Sequence, residues 1–288
     1  MAAIPLDISD VHLAGQVALV TGGGRGLGRG MATTLAAAGA AVAVAGRNEV
    51  HLHEVVDEIR ADSGQAAAFP LDVTDAAAIV QTVRQIEQQL GPISLLVNNA
   101  GVVGRAGPVW ELKLEDWYYT FDVNLTAPFL CAKAVLPGMV ARRQGRIINV
   151  ASGAALGPIA FGTIYCVSKA ALSRLTECIA ADVQEYGITA FTIDPGSVRT
   201  DMIEYLITSE EGRKYLPWYR EMILAGGDVP AELSARLVTV LASGKADALN
   251  GRFIQVSDDF DHLVAHADQI QQDDLYSLRR HTLNAGQP

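Results

Sequence analysis

The chain has 288 residues, half of them hydrophobic and 27 of them glycine, a composition typical of a globular protein with a substantial core and not of a disordered chain. A formal net charge of −10, from 22 basic and 32 acidic residues, argues against a surface for nucleic acid or anionic membranes, since both need clustered positive charge. No run of about 18 apolar residues lacks charges or turn signals, and residues 1–10 lack the basic start and apolar centre of a secretory signal.

The first predicted element is a buried strand over residues 16–20, which leads through a glycine-rich turn into a helix over 31–38. Glycine lets a backbone approach a pyrophosphate closely, and a helix N-terminus offers free N–H groups with partial positive charge. A merely flexible loop would not need a strand and a helix on its two sides. The order therefore predicts a nucleotide-binding turn, which reads Thr21-Gly22-Gly23-Gly24-Arg25-Gly26-Leu27-Gly28.

The second predicted strand, over 41–45, ends in Gly46, Arg47 and Asn48, with no acidic residue before Glu49. An acid at this point binds the ribose 2′-hydroxyl of NAD, whereas an arginine accommodates the 2′-phosphate of NADP. Arg25 in the glycine turn is a second candidate for that phosphate. Two guanidinium groups without a carboxylate predict NADP(H), because a planar fork matches phosphate oxygens. The alternatives are an Arg47 that caps a helix or lies in solvent, and a chain that uses NAD(H).

Helices and strands then alternate, with helices over 49–62 and 75–90 and strands over 66–70 and 93–97. This alternation predicts a parallel sheet with right-handed crossovers, in which ligands bind at the C-terminal ends of the strands. We expect an α/β fold: a single-domain, doubly wound, Rossmann-like sheet of about seven strands with helices on both faces. The residues that follow the first four strands are Thr21, Arg47, Asp72 and Asn98.

Tyr165 and Lys169 are four residues apart within a helix predicted over 163–186, so they lie on one face of it. A fixed ammonium beside a phenol favours the phenolate and lowers its pKa, which would prepare Tyr165 for proton transfer near neutral pH. The other predicted elements in this half are a helix over 115–143 and strands over 146–150, 188–193 and 251–256, with a further helix over 230–243.

Over residues 13–256 the chain resembles the short-chain dehydrogenase/reductase family, and the spacing of Ser152 from Tyr165 follows the family pattern. The motifs that carry the resemblance are Thr21-Gly-x-x-x-Gly26-x-Gly28, Asn98-Asn-Ala-Gly101, Asn124, Ser152, Tyr165-x-x-x-Lys169 and Pro195-Gly196.

The resemblance implies a catalytic set of four residues. Tyr165 would be the general acid in reduction and the general base in oxidation, and Lys169 would lower its pKa and hold the nicotinamide ribose hydroxyls. Ser152 would hydrogen-bond the substrate oxygen, where negative charge develops. Asn124 would anchor a water that links Lys169 to solvent.

The resemblance also implies cofactor contacts. Asp72 and Val73 would contact the adenine, and Val198 and Thr200 the nicotinamide carboxamide. Gly46 occupies the position of the aspartate found in NAD-preferring members. The full predicted cofactor set is Thr21, Gly22, Gly24, Arg25, Gly26, Leu27, Gly28, Arg47, Asp72, Val73, Asn98, Ala100, Gly101, Tyr165, Lys169, Pro195, Gly196, Val198 and Thr200.

Residues 201–227 are the predicted substrate lid, and their apolar and aromatic content predicts an apolar or bulky substrate. The alternative is that they pack against the body or against a neighbouring subunit. No cluster of Arg or Lys there suits a carboxylate or phosphate. The apolar residues of the lid are Met202, Tyr205, Leu206, Tyr215, Leu216, Trp218, Tyr219 and Met222, and the predicted substrate contacts are Ser152, Ala154, Leu156, Phe161, Met202, Tyr205 and Trp218.

Residues 257–288 extend beyond the point where the family usually ends, and helical spacing recurs over 258–270. We interpret residues 1–256 as one dinucleotide-binding and catalytic domain, and the extension as part of it or of a subunit interface. The three cysteines have no metal-ligand spacing, which predicts reduced thiols in a cytoplasmic protein without a metal, and Cys166 is interpreted as a packing residue.

These features predict an NADP(H)-dependent oxidoreductase that interconverts a ketone and a secondary alcohol. The alternatives are an NAD-dependent alcohol dehydrogenase of the same family and a catalytically silent, cofactor-binding regulatory member. The expected partners are a small carbonyl or alcohol substrate and further copies of the chain, as a homotetramer or dimer, with no nucleic acid and no membrane.

Overall fold

The computed structural model describes residues 6–280, in which seven strands and twelve α-helices follow one another. The predictions made for the first five residues and for residues 281–288 therefore lie outside the described part. The strands are β1 (Val17–Thr21), β2 (Ala41–Gly46), β3 (Gln65–Pro70), β4 (Leu95–Asn98), β5 (Gly145–Val150), β6 (Ile188–Asp194) and β7 (Phe253–Gln255). The helices of the body are α1 (Gly26–Ala37), α2 (Glu49–Ala61), α3 (Ala76–Gln89), α4 (Leu114–Phe121), α5 (Ala127–Arg142), α6 (Thr163–Val183) and α10 (Ala231–Ser243). Those of the lid and tail are α7 (Asp201–Thr208), α8 (Glu210–Tyr215), α9 (Pro217–Leu224), α11 (Phe260–Ala265) and α12 (Ala267–Gln272).

All seven strands pair in parallel, in the order β3-β2-β1-β4-β5-β6-β7. The chain builds outward from β1 to β3, then returns to start the second half at β4, beside β1. Such a reversal of strand order opens a crevice at the C-terminal ends of the two central strands. The predicted doubly wound, Rossmann-like fold is confirmed, and the crevice is where its ligand belongs.

Two apolar layers enclose the sheet, one on each face. Alternation along β2 illustrates the division: Val42 and Val44 pack into one layer, and Ala41, Ala43 and Ala45 into the other. Helices α1, α2 and α10 cover the valine face, and α3, α5 and α6 contribute to the opposite layer. Because both faces are covered, the strands read as continuous apolar runs.

A π-helical turn at Asp122–Thr126 joins α4 to α5, so the two helices form one long helical stretch. This stretch, Leu114–Arg142, is the one helix of residues 6–280 that is long and apolar enough to cross a membrane by length and composition. Much of it is buried, and α5 packs against α3 and the central strands. These contacts are those of a core helix.

The predicted lid consists of three short helices, α7 to α9. They share a small apolar core of their own, separate from the two layers of the sheet, which contains Ile203, Leu206, Ile207, Leu216 and Ile223. Val103, Ala106 and Ile159 from the body pack against it. The apolar residues of this segment therefore serve packing as well as any ligand.

The chain beyond β7 packs on the body. Phe260 and Leu263 of α11 and Ile270 of α12 are buried in the same apolar layer as α1 and α10. Further along, the backbone carbonyl of Tyr276 accepts a hydrogen bond from the N–H of Phe253 at 2.8 Å. The described part of the extension is thus continuous with the core.

Candidate active site

Two adjoining cavities open at the C-terminal ends of the strands. The larger, of about 930 Å³, lies against the glycine turn and the ends of β2 and β3. The smaller, of about 320 Å³, lies between the lid and the N-terminal part of α6. The two cavities adjoin, because both are lined by Leu27, Asn99, Gly101, Thr200 and Met202.

The glycine turn leads directly into α1, and no side chain caps this helix. Its N-terminal N–H groups therefore face the larger cavity as an anion site. Gly22 adopts a φ of +64°, and a Cβ on Gly28 would lie 2.2 Å from the carbonyl oxygen of Gly22. A side chain at position 28 would thus displace the turn that forms the site.

Arg47 lies at the end of β2, exposed on the wall of the larger cavity. Its guanidinium is 3.3 Å from the Tyr119 hydroxyl. It does not cap α2, because the Asn48 side chain accepts the N–H of His51 in that role. Hydrogen bonds from Thr74 hold the pKa of Asp72 below its usual range, and the charge of Arg47 adds to this effect.

Arg25 also borders the larger cavity, but its guanidinium forms an ion pair with Asp201 at the start of the lid. Both side chains are mostly exposed, and an exposed pair of this kind contributes little to stability. A phosphate between Arg25 and Arg47 would have to compete with Asp201 for Arg25. Arg47 is therefore the stronger of the two candidates for the 2′-phosphate.

The remaining predicted cofactor residues divide between the two cavities. Twelve line the larger cavity: Gly22, Gly24, Arg25, Gly26, Leu27, Gly28, Arg47, Asp72, Val73, Ala100, Gly101 and Thr200. Eight line the smaller one: Leu27, Gly101 and Thr200, which also line the larger one, and Tyr165, Lys169, Pro195, Gly196 and Val198.

Two predicted cofactor residues reach neither cavity. Thr21 is buried, and its hydroxyl accepts hydrogen bonds from the N–H groups of Asn99 and Ala100. Asn98 is buried too, donating to the Asn149 side chain at 2.8 Å. The cavity instead receives Asn99, the next residue, because successive side chains at the end of a strand point to opposite sides. Thr21 and Asn98 hold the strand ends rather than a ligand.

Tyr165, Lys169 and Ser152 meet in the smaller cavity, as predicted from their positions in the sequence. The Nζ atom of Lys169 lies 5.8 Å from the ring centre of Tyr165 and donates to the carbonyl oxygen of Val150 at 2.7 Å. Ser152 follows β5 in extended conformation, and its Oγ accepts the N–H of Ala154 at 3.2 Å. A substrate oxygen in this cavity therefore meets two hydroxyl groups.

Burial dominates the protonation of this cluster. Burial raises the pKa of Tyr165, which the Ser152 hydroxyl lowers in part and the charge of Asp194 raises further. Burial also lowers the pKa of Lys169 to about 8. The expected depression of the Tyr165 pKa by Lys169 is not found, because the cost of burying a phenolate is the largest effect on this group. Tyr165 carries its proton at neutral pH.

Asn124 lies in the π-helical turn with no solvent exposure. Its side chain accepts the N–H of Val102 at 2.9 Å and donates to the Val102 carbonyl at 2.8 Å and to Ser168 Oγ at 3.0 Å. A Cβ on Gly101 would lie 3.4 Å from Asn124 Oδ1 and 3.5 Å from Lys169 Nζ. Asn124 and Lys169 therefore converge on Gly101 without touching each other.

The wall of the smaller cavity differs in part from the predicted substrate contacts. Ser152, Ala154, Met202 and Trp218 line it. Leu156 is half exposed outside it. Phe161 instead packs its ring at 5.1 Å from that of Tyr215, and the Tyr205 hydroxyl donates to Glu211 at 2.8 Å. The prediction that these three residues contact the substrate is therefore wrong, since none of them lines the cavity.

Several wall residues were not among the predicted substrate contacts, although Leu206, Leu216, Tyr219 and Met222 were named as apolar residues of the lid. Cys166, which was interpreted as a packing residue, is buried on α6 and also lines the cavity. Tyr219 and Met222, on the first turns of α9, face the cavity, as does Asp194 at the end of β6. Helical spacing places Tyr219 and Met222 on the same face of α9. The sequence did not predict that the lid folds into three short helices, and so it did not predict which face of α9 lines the cavity. The other such residues are Val103, Ile159, Ile203, Leu206 and Leu216.

The polar groups around the larger cavity fit a dinucleotide: N–H donors at an uncapped helix N-terminus for the pyrophosphate, the Arg47 guanidinium at the end of β2, and the Asp72 carboxylate as an acceptor. Its junction with the smaller cavity lies beside Lys169 and Tyr165, where the reactive end of such a molecule belongs. Among residues 6–280, no group of three or more His, Cys, Asp or Glu side chains is arranged to hold a metal ion.

Comparisons with known proteins agree with this arrangement. The family model described as short chain dehydrogenase matches residues 16–211. A short chain dehydrogenase of Pseudocercospora fijiensis is 34% identical over 92% of this chain and 89% of that protein. The 2,3-dihydro-2,3-dihydroxybenzoate dehydrogenase of Bacillus subtilis is 40% identical over 69% of this chain and 76% of its own. The structure of a gluconate 5-dehydrogenase from Burkholderia cenocepacia, in complex with NADP and tartrate, superposes with a TM-score of 0.76 at 31% identity, covering 85% and 94% of the two chains.

Proposed function

Because the chain belongs to the short-chain dehydrogenase/reductase family of oxidoreductases, we propose that it interconverts a ketone and a secondary alcohol with NADP(H). One observation carries the proposal: Ser152, Tyr165 and Lys169 meet where a dinucleotide-sized cavity joins a small apolar one. The cofactor, when bound, supplies the hydride. The chain supplies position, exclusion of water and the proton.

Tyr165 is proposed as the proton donor to the substrate oxygen in reduction. The burial that raises its pKa keeps the phenol protonated, which is the form that a general acid needs. Ser152 offers a second hydroxyl to the same oxygen, so the charge that develops there meets two donors. Oxidation would use the deprotonated form of Tyr165, which burial disfavours near neutral pH.

Lys169 and Asn124 are proposed to support Tyr165. Cofactor ribose hydroxyls near Gly101 would bring Lys169 a second set of hydrogen bonds beside the Val150 carbonyl. Both N–H donors of the Asn124 side chain are used within the chain, so a relay water at Asn124 would have to donate to one of its oxygen atoms. Protons would then reach Tyr165 from solvent through this water and the buried Lys169 side chain.

Preference for NADP(H) rests on Arg47. It borders the larger cavity directly after β2, and Gly46 leaves no carboxylate there to bind a free 2′-hydroxyl. The relative from Burkholderia cenocepacia was solved with NADP. Binding of NADH as tight as that of NADPH would contradict this assignment.

The substrate is proposed to be an apolar or bulky carbonyl compound. The smaller cavity is walled mainly by apolar side chains of the lid and of residues 101–106, among them Leu206, Leu216 and Met222. A cavity of about 320 Å³ accommodates a compound with a ring or a branched chain, as pockets for small molecules generally do.

Homo-oligomerisation is proposed from an exposed apolar face. Trp110 is 80% exposed, and Leu114 and Tyr118, one turn apart on α4, are each at least 60% exposed. Phe129 on α5 adds a further exposed ring. Because exposed apolar side chains on neighbouring turns of a helix are typical of an interaction surface, we propose that copies of the chain associate through α4 and α5. Light scattering of the purified protein tests this assembly.

A cytoplasmic location is proposed from the thiols. Cys131, Cys166 and Cys178 are all free, and two of them are buried in the body. Free cysteines suit a reducing compartment. Fractionation of the producing cells tests this assignment.

The activity itself is tested by mixing the protein with NADPH and a panel of aryl and alkyl ketones, while the absorbance of the cofactor is followed. We expect oxidation of NADPH that depends on the ketone. Tight cofactor binding without turnover of any ketone or alcohol would instead favour a silent, regulatory member of the family.

A further inference from the structure

A single carboxylate, that of Asp194, faces the mainly apolar substrate cavity. Asp194 ends β6, and its side chain lies in the cavity wall behind the loop that carries Ser152. A Cβ on Gly153 would lie 3.0 Å from Asp194 Oδ2, so the carboxylate is adjacent to the residue that follows Ser152. It is therefore close to the oxygen that Ser152 is proposed to bind.

The Asp194 carboxylate is fixed but not neutralised. Its Oδ1 accepts the N–H of Gly196 at 3.1 Å, and its Oδ2 accepts from Gln255 Nε2 at 2.8 Å. Both donors are uncharged, and no ion pair among residues 6–280 includes Asp194. Each oxygen keeps a lone pair for a further donor.

The cations of the cavity have other partners. Lys169 donates to the Val150 carbonyl, and Arg105 pairs with Glu211 at 2.5 Å on the outer side of the lid. Burial raises the pKa of both Tyr165 and Tyr219, and the nearby charge of Asp194 adds to the effect at each. Tyr219 donates to Ser197 Oγ at 3.2 Å, which extends the polar corner of the cavity.

We propose that Asp194 determines substrate specificity by accepting a hydrogen bond from a hydroxyl on the carbon next to the reacting carbonyl. A neutral hydroxyketone would satisfy the free lone pairs of the carboxylate, whereas a 2-oxo acid would bring a second negative charge against it. A site that needs a donor discriminates strongly against ligands that lack one, and like charges add a repulsive element. The proposal rests on the proposed carbonyl reduction and narrows its substrate class.

Three aryl ketones of similar size separate these effects. They are 2-hydroxypropiophenone, with the hydroxyl; isobutyrophenone, with a methyl group in its place; and phenylglyoxylate, with a carboxylate. The substitution Asp194→Asn keeps the size of the side chain and its bond to Gly196, and rotation of the Gln255 amide accommodates the new NH₂ group. Asp258→Asn is the matched control, because Asp258 accepts the backbone N–H of Gln255 at 2.8 Å but does not line the cavity.

Binding is measured in the Tyr165→Phe background with NADPH present, so that no turnover intervenes. We expect Asp194→Asn to weaken binding of the hydroxyketone about fivefold relative to isobutyrophenone, and to strengthen that of phenylglyoxylate about tenfold on the same scale. Asp258→Asn should change both ratios less than twofold.

Unchanged ratios in Asp194→Asn, equal shifts in Asp258→Asn, or failure of the hydroxyketone to bind more tightly than isobutyrophenone would each overturn the assignment. Turnover by the otherwise native chain decides the proposed reduction separately. If the hydroxyketone binds with the expected dependence on Asp194 while NADPH is not oxidised, the reduction is wrong and the assignment of Asp194 stands.

Discussion

Lys169 reaches across the active site to donate its Nζ hydrogen to the backbone carbonyl of Val150 at 2.7 Å. This bond anchors the ammonium to the end of β5, the strand that also delivers Ser152. The lysine is therefore a link between α6 and the sheet before any cofactor binds. Its energetic cost is burial, which lowers its pKa to about 8.

The free energy of unfolding should depend on pH because Lys169 is buried. The pKa of Lys169 falls from 10.5 to about 8 on folding, so between these pH values the unfolded chain binds a proton that the folded chain lacks. Stability then rises with pH across this window, by about 1.4 kcal/mol per unit at most. Urea unfolding at pH 7.5 and 9.5 should show the cofactor-free chain gaining about 1–2 kcal/mol relative to Lys169→Met. A constant difference between the two proteins would contradict the burial argument.

Replacing Tyr165 by phenylalanine keeps the ring and removes the proton donor. We expect a folded protein that still binds NADPH, with kcat lower by at least ~10²-fold. The absorbance difference between the native chain and this variant should show no Tyr165 phenolate at pH 9 without cofactor, because burial raises the pKa. Near-normal turnover would remove Tyr165 from the mechanism, and a phenolate at pH 9 would mean that Lys169 outweighs burial.

Cofactor choice should respond to Arg47. Truncation to alanine removes the guanidinium that borders the larger cavity after β2, so we expect the KM for NADPH to rise about tenfold while that for NADH changes little. Arg29→Ala is the control, since Arg29 pairs with Glu58 at 2.7 Å and lies outside that cavity. Equal losses with both cofactors would show that Arg47 does not contact the 2′-phosphate.

Asn124 should contribute to stability beyond any part in catalysis. Asn124→Ala leaves the N–H and carbonyl of Val102 and the Ser168 hydroxyl without this partner in a buried site, which should cost about 3 kcal/mol of unfolding free energy. Asn48→Ala, which removes an exposed cap of α2, should cost only about 1 kcal/mol. Chemical denaturation of both variants measures the contrast, and equal costs would mean that the Val102 bonds are easily replaced.

Much of the fold follows from local signals in the sequence. Strands β1 and β2 correspond to apolar runs in the sequence, and the glycine turn marks where β1 ends and α1 begins. The positions of Tyr165 and Lys169 follow from helical spacing. These features depend on neighbours in the chain, which is why they are predictable.

Features that depend on tertiary contacts were harder to predict from the sequence. Asn98 and Asn99 are equivalent candidates by sequence, and only the register of β4 with β5 buries the first against Asn149. Tyr205 and Phe161 are apolar enough to line a pocket. Instead, Tyr205 donates a hydrogen bond to Glu211 of α8, and Phe161 packs on Tyr215 of the same helix, so neither lines the cavity. The protonation of Tyr165 likewise depends on burial from several elements, which helical spacing alone does not reveal.

The bond between Phe253 and Tyr276 has a consequence for how copies of the chain avoid aggregation. β7 is the last strand of the sheet, and an edge strand with free N–H groups is a template for pairing with another chain. The returning tail occupies one of those groups, and α11 and α12 cover the apolar layer beside it. The extension thus covers this edge of the sheet, and truncation of the chain after β7 should promote its aggregation.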